Sequence, residues 1–217
     1  CRQILGSSHG VRRVISLVQD KEIIWIISDK GIYKYSKENS KLTLALSTRK
    51  HFHSFRKYAN KFIIGADNGQ LYIYDPRKDD YSIMKFNTSA TLTRVKAYDS
   101  KHLLITAEND GFFLTDGYRG EGVHYTISNQ LLSNEVNALY VEDSQKHIWI
   151  AYKNTTMITR IDSLGTYRKH YQLKMQKYDD SPRQISQDHD GRLWVFSKNE
   201  ALNYYDEKSD EFLFFSI

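Results

Sequence analysis

The sequence predicts an all-β fold, a β-propeller of about five four-stranded antiparallel blades, and three observations predict it. One pattern recurs around Trp25 (IIWIISDKGIYKYS), Ile63 (FIIGADNGQLYIYD), Ile105 (LLITAENDGFFLTD), Trp149 and Trp194 (RLWVFSKNEALNYYD), with anchors 38, 42, 44 and 45 residues apart. A period of roughly 40–45 residues with several strands per unit is the mark of propeller blades. Within each unit the order is constant: an apolar pair, a polar turn often holding Gly (Gly31, Gly69, Gly111), then a strand ending in Tyr or Ile before Asp or Ser. The glycines suit tight turns that need φ > 0. Finally, sixteen Tyr against two Pro among 217 residues favour half-buried pleated sheet.

In chain order, Arg2–Leu5 reads as an outer strand able to close a ring with the far end of the chain. Blade 1 follows over 10–47, with VRRVISLVQD as the inner strand and KEIIWIIS, GIYKYS and LTLAL after it. Blade 2 covers 48–88, blade 3 covers 89–128, blade 4 covers 129–174 and blade 5 covers 175–217. The stretch Ser133–Asp162 is the best-preserved copy. No linker, helix-period run or low-complexity tract interrupts the units, so 1–217 reads as a single propeller domain or a partial propeller. Inner strands are expected to be apolar, with both faces buried between blades, and outer strands to alternate with Lys, Glu and Ser. Five blades either close alone or belong to a larger, seven-bladed ring.

The chain is 40% hydrophobic and 26% charged, a globular balance. No apolar run approaches the ~20 residues of a membrane-spanning helix. A net charge of +5 fits either plain solubility or an anionic partner. Nucleic acid is not expected, for want of a recognition helix, an RNP-type aromatic motif or zinc-finger spacing. The single cysteine, Cys1, allows no intramolecular disulfide framework; at a mature N-terminus it would suit lipid attachment, but no signal segment supports that and a processing boundary is the better account.

Propeller families differ in their signatures. Neither Gly-His nor Trp-Asp occurs, nor a double glycine, and Ser186–Trp194 misses the sialidase-type Asp-box by one extra residue. The pattern Asn-x-Val-x-x-Ile, then Asp-x-x-Gly-x-Leu-Trp-Ile, then Gly-Leu-x-x-Tyr-Asp fits better. Blade 5 offers Asp188, Gly191-Arg-Leu193-Trp194-Val195 and Tyr205-Asp206; blade 4 offers Asn134-Glu-Val136, Asp143 and Ile148-Trp149-Ile150; blade 1 offers Asp20, Ile24-Trp25-Ile26 and Gly31-Ile32-x-x-Tyr35. Blades 2 and 3 replace Trp by Ile63 and Ile105 and lack the strand-leading Asp. The chain thus resembles the two-component-regulator propeller repeat family over nearly its whole length. That resemblance implies the periplasmic sensor region of a Bacteroides-type hybrid two-component system. It implies further an oligosaccharide ligand, a membrane-spanning parent chain with kinase modules beyond this segment, and a homodimeric receptor. No enzymatic activity and no cofactor are implied; the rival classes are a carbohydrate-active propeller enzyme and a protein-interaction scaffold.

Trp25, Trp149 and Trp194, at one repeat position, are expected in the core. Asp20, Asp143 and Asp188 are expected to cap turns. No catalytic arrangement is legible, since no paired carboxylates or nucleophile elbow stand at a telling spacing. Candidate ligand-binding residues are basic. Arg49, His51, His53 and Arg56 belong to the densest positive run, where an outer strand hands over to the next inner one. His51 and His53 alternate and so share a side; a metal would need a third ligand, none is adjacent, and no metal is expected. Arg12, Arg13, Arg94, Asn134 and Arg183 enter inner strands near one end and are expected at corresponding places around an opening. Arginine offers a planar fork for carboxylate or sulfate, which points to an acidic glycan. The sequons at Asn87 and Asn154 are chance matches in a bacterial chain.

Overall fold

Apolar, β-branched and aromatic runs joined by short polar turns leave each repeat one economical solution, a four-stranded antiparallel meander. The computed structural model describes residues 9–117, 122–142, 144–162, 165, 167–174, 181–199 and 201–215; Cys1, the strand expected over Arg2–Leu5, and Asp143 lie outside them. Blade 1 holds β1 (Val14–Asp20), β2 (Ile23–Ser28), β3 (Gly31–Ser36) and β4 (Lys41–Ser47), and blade 2 holds β5 (Phe52–Tyr58), β6 (Lys61–Ala66), β7 (Gln70–Asp75) and β8 (Asp80–Lys85). Blade 3 holds β9 (Leu92–Ala97), β10 (His102–Ala107), β11 (Phe112–Asp116) and β12 (Gly122–Tyr125). Blade 4 holds β13 (Val136–Val141), β14 (Ile148–Tyr152), β15 (Met157–Ile161) and β16 (Arg168–Gln172), and blade 5 holds β17 (Pro182–Gln187), β18 (Leu193–Ser197), β19 (Leu202–Asp206) and β20 (Glu211–Phe214). In every sheet the strands pair in sequence order, which is the arrangement of propeller blades. The chain divides into two compact units, Cys1–Ala107 with Phe113–Val123, and Glu108–Phe112 with His124–Ile217.

Burial corrects one expectation. The fully apolar strands are the second of each meander: β6, β10 and β14 are buried almost throughout, whereas β1 is mostly exposed, with Leu17 at 64%. The first strand lies at an edge of its sheet, so half its ladder groups and many of its side chains meet solvent, and it tolerates Arg56, Arg94 and Arg183.

Each first strand also carries an irregularity at one level. Its opening residue pairs with the end of the second strand (Val14 with Ser28, Phe52 with Ala66, Leu92 with Ala107, Val136 with Tyr152, Pro182 with Ser197), and the register then slips by one. The unpaired residues are Ile15, His53, Thr93, Asn137 and Arg183, five bulges that bend the strand and re-aim a side chain. Just before four of them, one backbone bond recurs: the N–H of Asp29, Asp67, Lys153 and Lys198 donates to the carbonyl of Arg13, His51, Glu135 and Ser181, at 2.8–3.2 Å. Neighbouring blades within a unit are stitched at this level, by Ser54 Oγ to the Leu92 carbonyl at 3.1 Å in the first unit and Asn137 Nδ2 to the Pro182 carbonyl at 2.7 Å in the second. Glycine is needed at the turn before β11, where Gly111 has φ +68° and a Cβ would stand 2.0 Å from the Tyr125 carbonyl oxygen.

Between blades 1 and 2, and between blades 4 and 5, the core is built around a tryptophan. In the first unit Trp25, 3% exposed, meets Phe62 and Tyr74 edge-on at 5.6 and 5.7 Å, and Lys34 Nζ lies 5.6 Å from its ring. In the second unit Trp149, 1% exposed, is enclosed by Tyr171, Tyr205 and Phe212, with the Arg160 guanidinium 5.4 Å from its ring. Trp194 is only half-buried, on the face of blade 5 that carries Tyr204 and Phe215. The turn-capping role holds for Asp188, which accepts from the N–H groups of Asp190 and Arg192 at 3.0 and 2.8 Å and from Trp194 Nε1 at 2.7 Å. The residue of blade 4 at the same register is Glu142, which accepts from Trp149 Nε1 at 3.3 Å. Blade 3 keeps a cap too: Asp99 receives the N–H groups of Lys101 and His102.

Candidate functional site

The segments that lead into β1 and β5 bring four of the basic candidates to one end of the first unit. An aspartate carboxylate fixes each segment, a buried one before β1 and a half-buried one before β5. Asp29, 6% exposed, takes the backbone N–H groups of Arg12 and Arg13 on one carboxylate oxygen at 3.1 and 3.2 Å, while its own carbonyl accepts from Phe52 N at 3.1 Å. The Arg13 guanidinium reaches the Phe52 carbonyl at 3.5 Å. With their backbones pinned, both arginines keep exposed side chains.

Asp67 does the corresponding work for β5. It accepts the N–H of His51 at 3.0 Å, His51 Nδ1 at 3.3 Å and His53 Nε2 at 2.6 Å. The two imidazoles do share a side, although they reach it by different routes: His51 stands before the strand and His53 is the bulge residue. Burial would raise the Asp67 pKa, but the His51 backbone bond, the side-chain bonds of both histidines and the charge of His53 outweigh it and hold the carboxyl below its ordinary range. Lys30 Nζ stands 2.7 Å from His51 Nε2. That contact sets an ammonium donor against one ring nitrogen of His51 while the other ring nitrogen faces Asp67. The outcome is an ordered polar surface of Arg12, Arg13, Lys30, His51 and His53 on a rigid edge. Among the described residues no group of three or more His, Cys, Asp or Glu is arranged to hold a metal ion.

The remaining candidates fall elsewhere. Arg49 is exposed in the connection between β4 and β5. Arg56 and Arg94 lie within β5 and β9, and Lys96, which the sequence reading passed over, lies beside them. Asn134 and Arg183 belong to the second unit. Asn134 staples a loop there: its carbonyl accepts from Gly111 N at 2.9 Å and its Oδ1 from Ile127 N at 2.7 Å. The expected common position is not kept. Counted from the first paired residue of each first strand, Arg12 and Asn134 stand two before, Arg13 one before, Arg183 one after and Arg94 two after. The five residues thus occupy four different positions of the blade and do not share one level.

Each unit also has a cleft at the opposite end of its blades. Asp20, Lys34, Lys57, Asn60 and Arg77 line one of about 130 Å³ in the first unit. In the second unit a cleft of about 280 Å³ is lined by, among others, Glu142, Asp190, Asp206 and Glu207 on the acidic side and Arg192 and Lys208 on the basic. The larger has the size of a small-ligand site, and its polar groups are acidic rather than basic on balance.

No family model matches the chain, and no curated protein matches it in sequence. Solved structures do. The extracellular domain of BT3049 from B. thetaiotaomicron, assigned as a hybrid two-component system, superposes on 98% of this chain with a TM-score of 0.67 at 12% identity. The extracellular domain of BT4673 from the same organism, assigned as a one-component system, does so over 92% with 0.51 at 14% identity. The β-propeller domain of Cps50 (Swd1) from Myceliophteria thermophila superposes over 93% with 0.63 at 10% identity. The chain spans 30% and 35% of the two B. thetaiotaomicron chains. At these identities the likenesses show the fold, and that fold is the β-propeller.

Proposed function

We propose that this chain is an extracytoplasmic ligand-sensing propeller of a two-component receptor, and that it binds an oligosaccharide without turning it over. The observation that carries the reading is agreement between two independent signals. The repeat pattern of blades 1, 4 and 5 resembles the sensor propeller family, and the superposition on the BT3049 extracellular domain extends over 98% of the chain. Among the described residues no helix is long and apolar enough to cross a membrane, so in this reading the membrane span lies in another part of the parent receptor. The surface of Arg12, Arg13, Lys30, His51 and His53 then supplies donors for sugar hydroxyls and carboxylates on a backbone already fixed by Asp29 and Asp67. Signalling follows from binding one arrangement of two receptor copies better than another, because a ligand shifts an equilibrium only by its difference in affinity.

Titration calorimetry with a panel of oligosaccharides, followed by chromatography of the mixtures, tests this. Saturable binding with the sugar recovered intact is expected. Cleavage of any panel member would assign the chain to the enzymes, and no binding across the panel would leave a scaffold role.

A further inference from the structure

We propose that the open face of blade 5 is an interaction surface for a second copy of this chain, which covers it with the face of its blade 1 that points away from blade 2. The contact stands whether the chain is a sensor or a scaffold. Strand pairing sets which side chains share a face. In blade 4, Trp149 shares one with Arg160, Ala151, Ile158 and Tyr171. Blade 5 covers that face with Ile185, Leu193, Val195, Tyr205 and Phe212. In the first unit Phe55, Phe62, Ile64 and Tyr74 of blade 2 cover Trp25 in the same register.

Carried one blade on, the Trp149 face becomes Trp194, Phe196, Leu202, Tyr204, Leu213 and Phe215. None of these six is buried. Phe196 and Phe215 are 43% and 40% exposed, the other four are half-buried, and a hollow of about 290 Å³ opens beside Trp194, Phe196 and Leu202. An apolar surface of this extent marks an interface. Blade 1 carries the covering half. Its Leu17, Ile24, Ile26, Tyr35 and Leu42 stand at the register of Ile185, Leu193, Val195, Tyr205 and Phe212. Of these five only Ile26 is buried, and Leu17 is the most exposed large apolar residue among those described.

Charge selects blade 1 as the occupant. Where the third strand sets a cation on the Trp face, the covering blade has an aspartate in its last turn. Asp79 holds that place in the blade over Trp25 and Lys34, and Asp210 in the blade over Trp149, where it pairs with Arg160 and Lys169. Blade 5 replaces the two cations by Tyr204 and Leu213, and blade 1 replaces the aspartate by Ser40, at the same positive φ of 55°. Cations and carboxylate are absent together, so the two faces meet without burying an unpaired charge. Every copy carries both halves, so the contact runs head to tail, unlike a two-fold receptor pairing.

Sedimentation velocity of the whole chain over a wide dilution series tests this. The average mass is expected to rise with concentration above that of one chain. Phe196→Arg on the blade 5 face and Leu17→Arg on the blade 1 face should each weaken association about a hundredfold or more, since each seats an unpaired charge among apolar groups. Both residues are exposed within one chain, so the melting temperature of dilute protein should hardly move. Mixed together, the two variants should recover a one-to-one complex, because the intact blade 5 face of the Leu17→Arg copy meets the intact blade 1 face of the Phe196→Arg copy. A chain that stays monomeric at every concentration would overturn the proposal and leave the face to another blade or another protein. Association that survives Leu17→Arg would overturn it as well, as the mark of blade 5 faces pairing with each other, and so would variants that fail to complement.

Discussion

Blades 1 and 2 and blades 4 and 5 solve one packing problem with the same parts, and the second pair solves it more completely. In both, a Trp on the second strand lies under a cation from the third strand of its own blade and beside a Tyr of the next blade. That Tyr hydrogen-bonds an Asp held at positive φ in the final turn: Tyr74 to Asp79 (φ 52°) in the first unit, Tyr205 to Asp210 (φ 51°) at 2.5 Å in the second. Asp is among the few non-glycine residues that enter this region readily, which suits it to that place. The difference lies in what surrounds the pair. Lys34 offers Trp25 a point charge, whereas the flat Arg160 guanidinium covers Trp149, Tyr171 and Tyr205 and donates to Tyr205 OH at 2.9 Å. Asp210 receives Tyr171 at 2.9 Å and Lys169 as well, both from the fourth strand of blade 4. In blade 1 the residue cross-paired to the cation is Thr43, which bonds the Lys34 carbonyl instead. A conserved geometry can thus carry an interaction network of quite different depth, depending on one strand.

Truncating the two tryptophans tests that difference most severely. Trp149→Ala should cost about 4 kcal/mol and Trp25→Ala about 3 kcal/mol, because the former leaves a cavity walled by three aromatic rings and strands Arg160. Urea unfolding reads both, and equal losses would mean the extra network around Trp149 contributes nothing. Next in size is the carboxylate. Asp210→Asn should cost about 1–3 kcal/mol, against about 1 kcal/mol for Asp79→Asn, since three donors lose a charged acceptor rather than one. Burial opposes ionisation of Asp210, but Lys169, Tyr205 and Tyr171 prevail and bring its pKa from 3.8 to about 2. A carboxyl depressed on folding stabilises fully above its ordinary value, and that contribution fades as the pH falls from 3.8 through about 2. Acid unfolding of the parent chain should therefore lose stability in that window in part through Asp210, and Asp210→Asn should remove that part of the slope. The smallest effect is a gain. Lys34→Arg should add a few tenths of a kcal/mol by laying a planar cation on Trp25; a loss would show that Arg160 depends on Tyr205 more than on stacking.

The meander of every blade was legible in the sequence because it rests on alternation, turn residues and a period, all of which are local. Trp25 and Trp149 were legible as core for the same reason. What escaped was set by partners distant in sequence. Nothing near His51 announces that Asp67 will collect both histidines, or near Asn134 that it will staple Gly111 and Ile127. Trp194 carries the same motif as Trp149, yet its burial depends on what faces blade 5, which the motif does not encode. The basic residues were found by type, and their grouping needed the slip of register that only pairing reveals.

That slip occurs at one level in all five first strands, and the residue it sets free differs each time: Ile15, His53, Thr93, Asn137 and Arg183. An irregularity that recurs at one level while the residue it frees differs belongs to the backbone of the blade and not to any one side chain. Because the freed residue takes no part in the ladder, it can change its chemistry from blade to blade without disturbing the sheet. One backbone feature thus presents an aliphatic, an imidazole, a hydroxyl, an amide and a guanidinium at five equivalent positions, two of which bond to a neighbour: His53 to Asp67 and Asn137 to the Pro182 carbonyl.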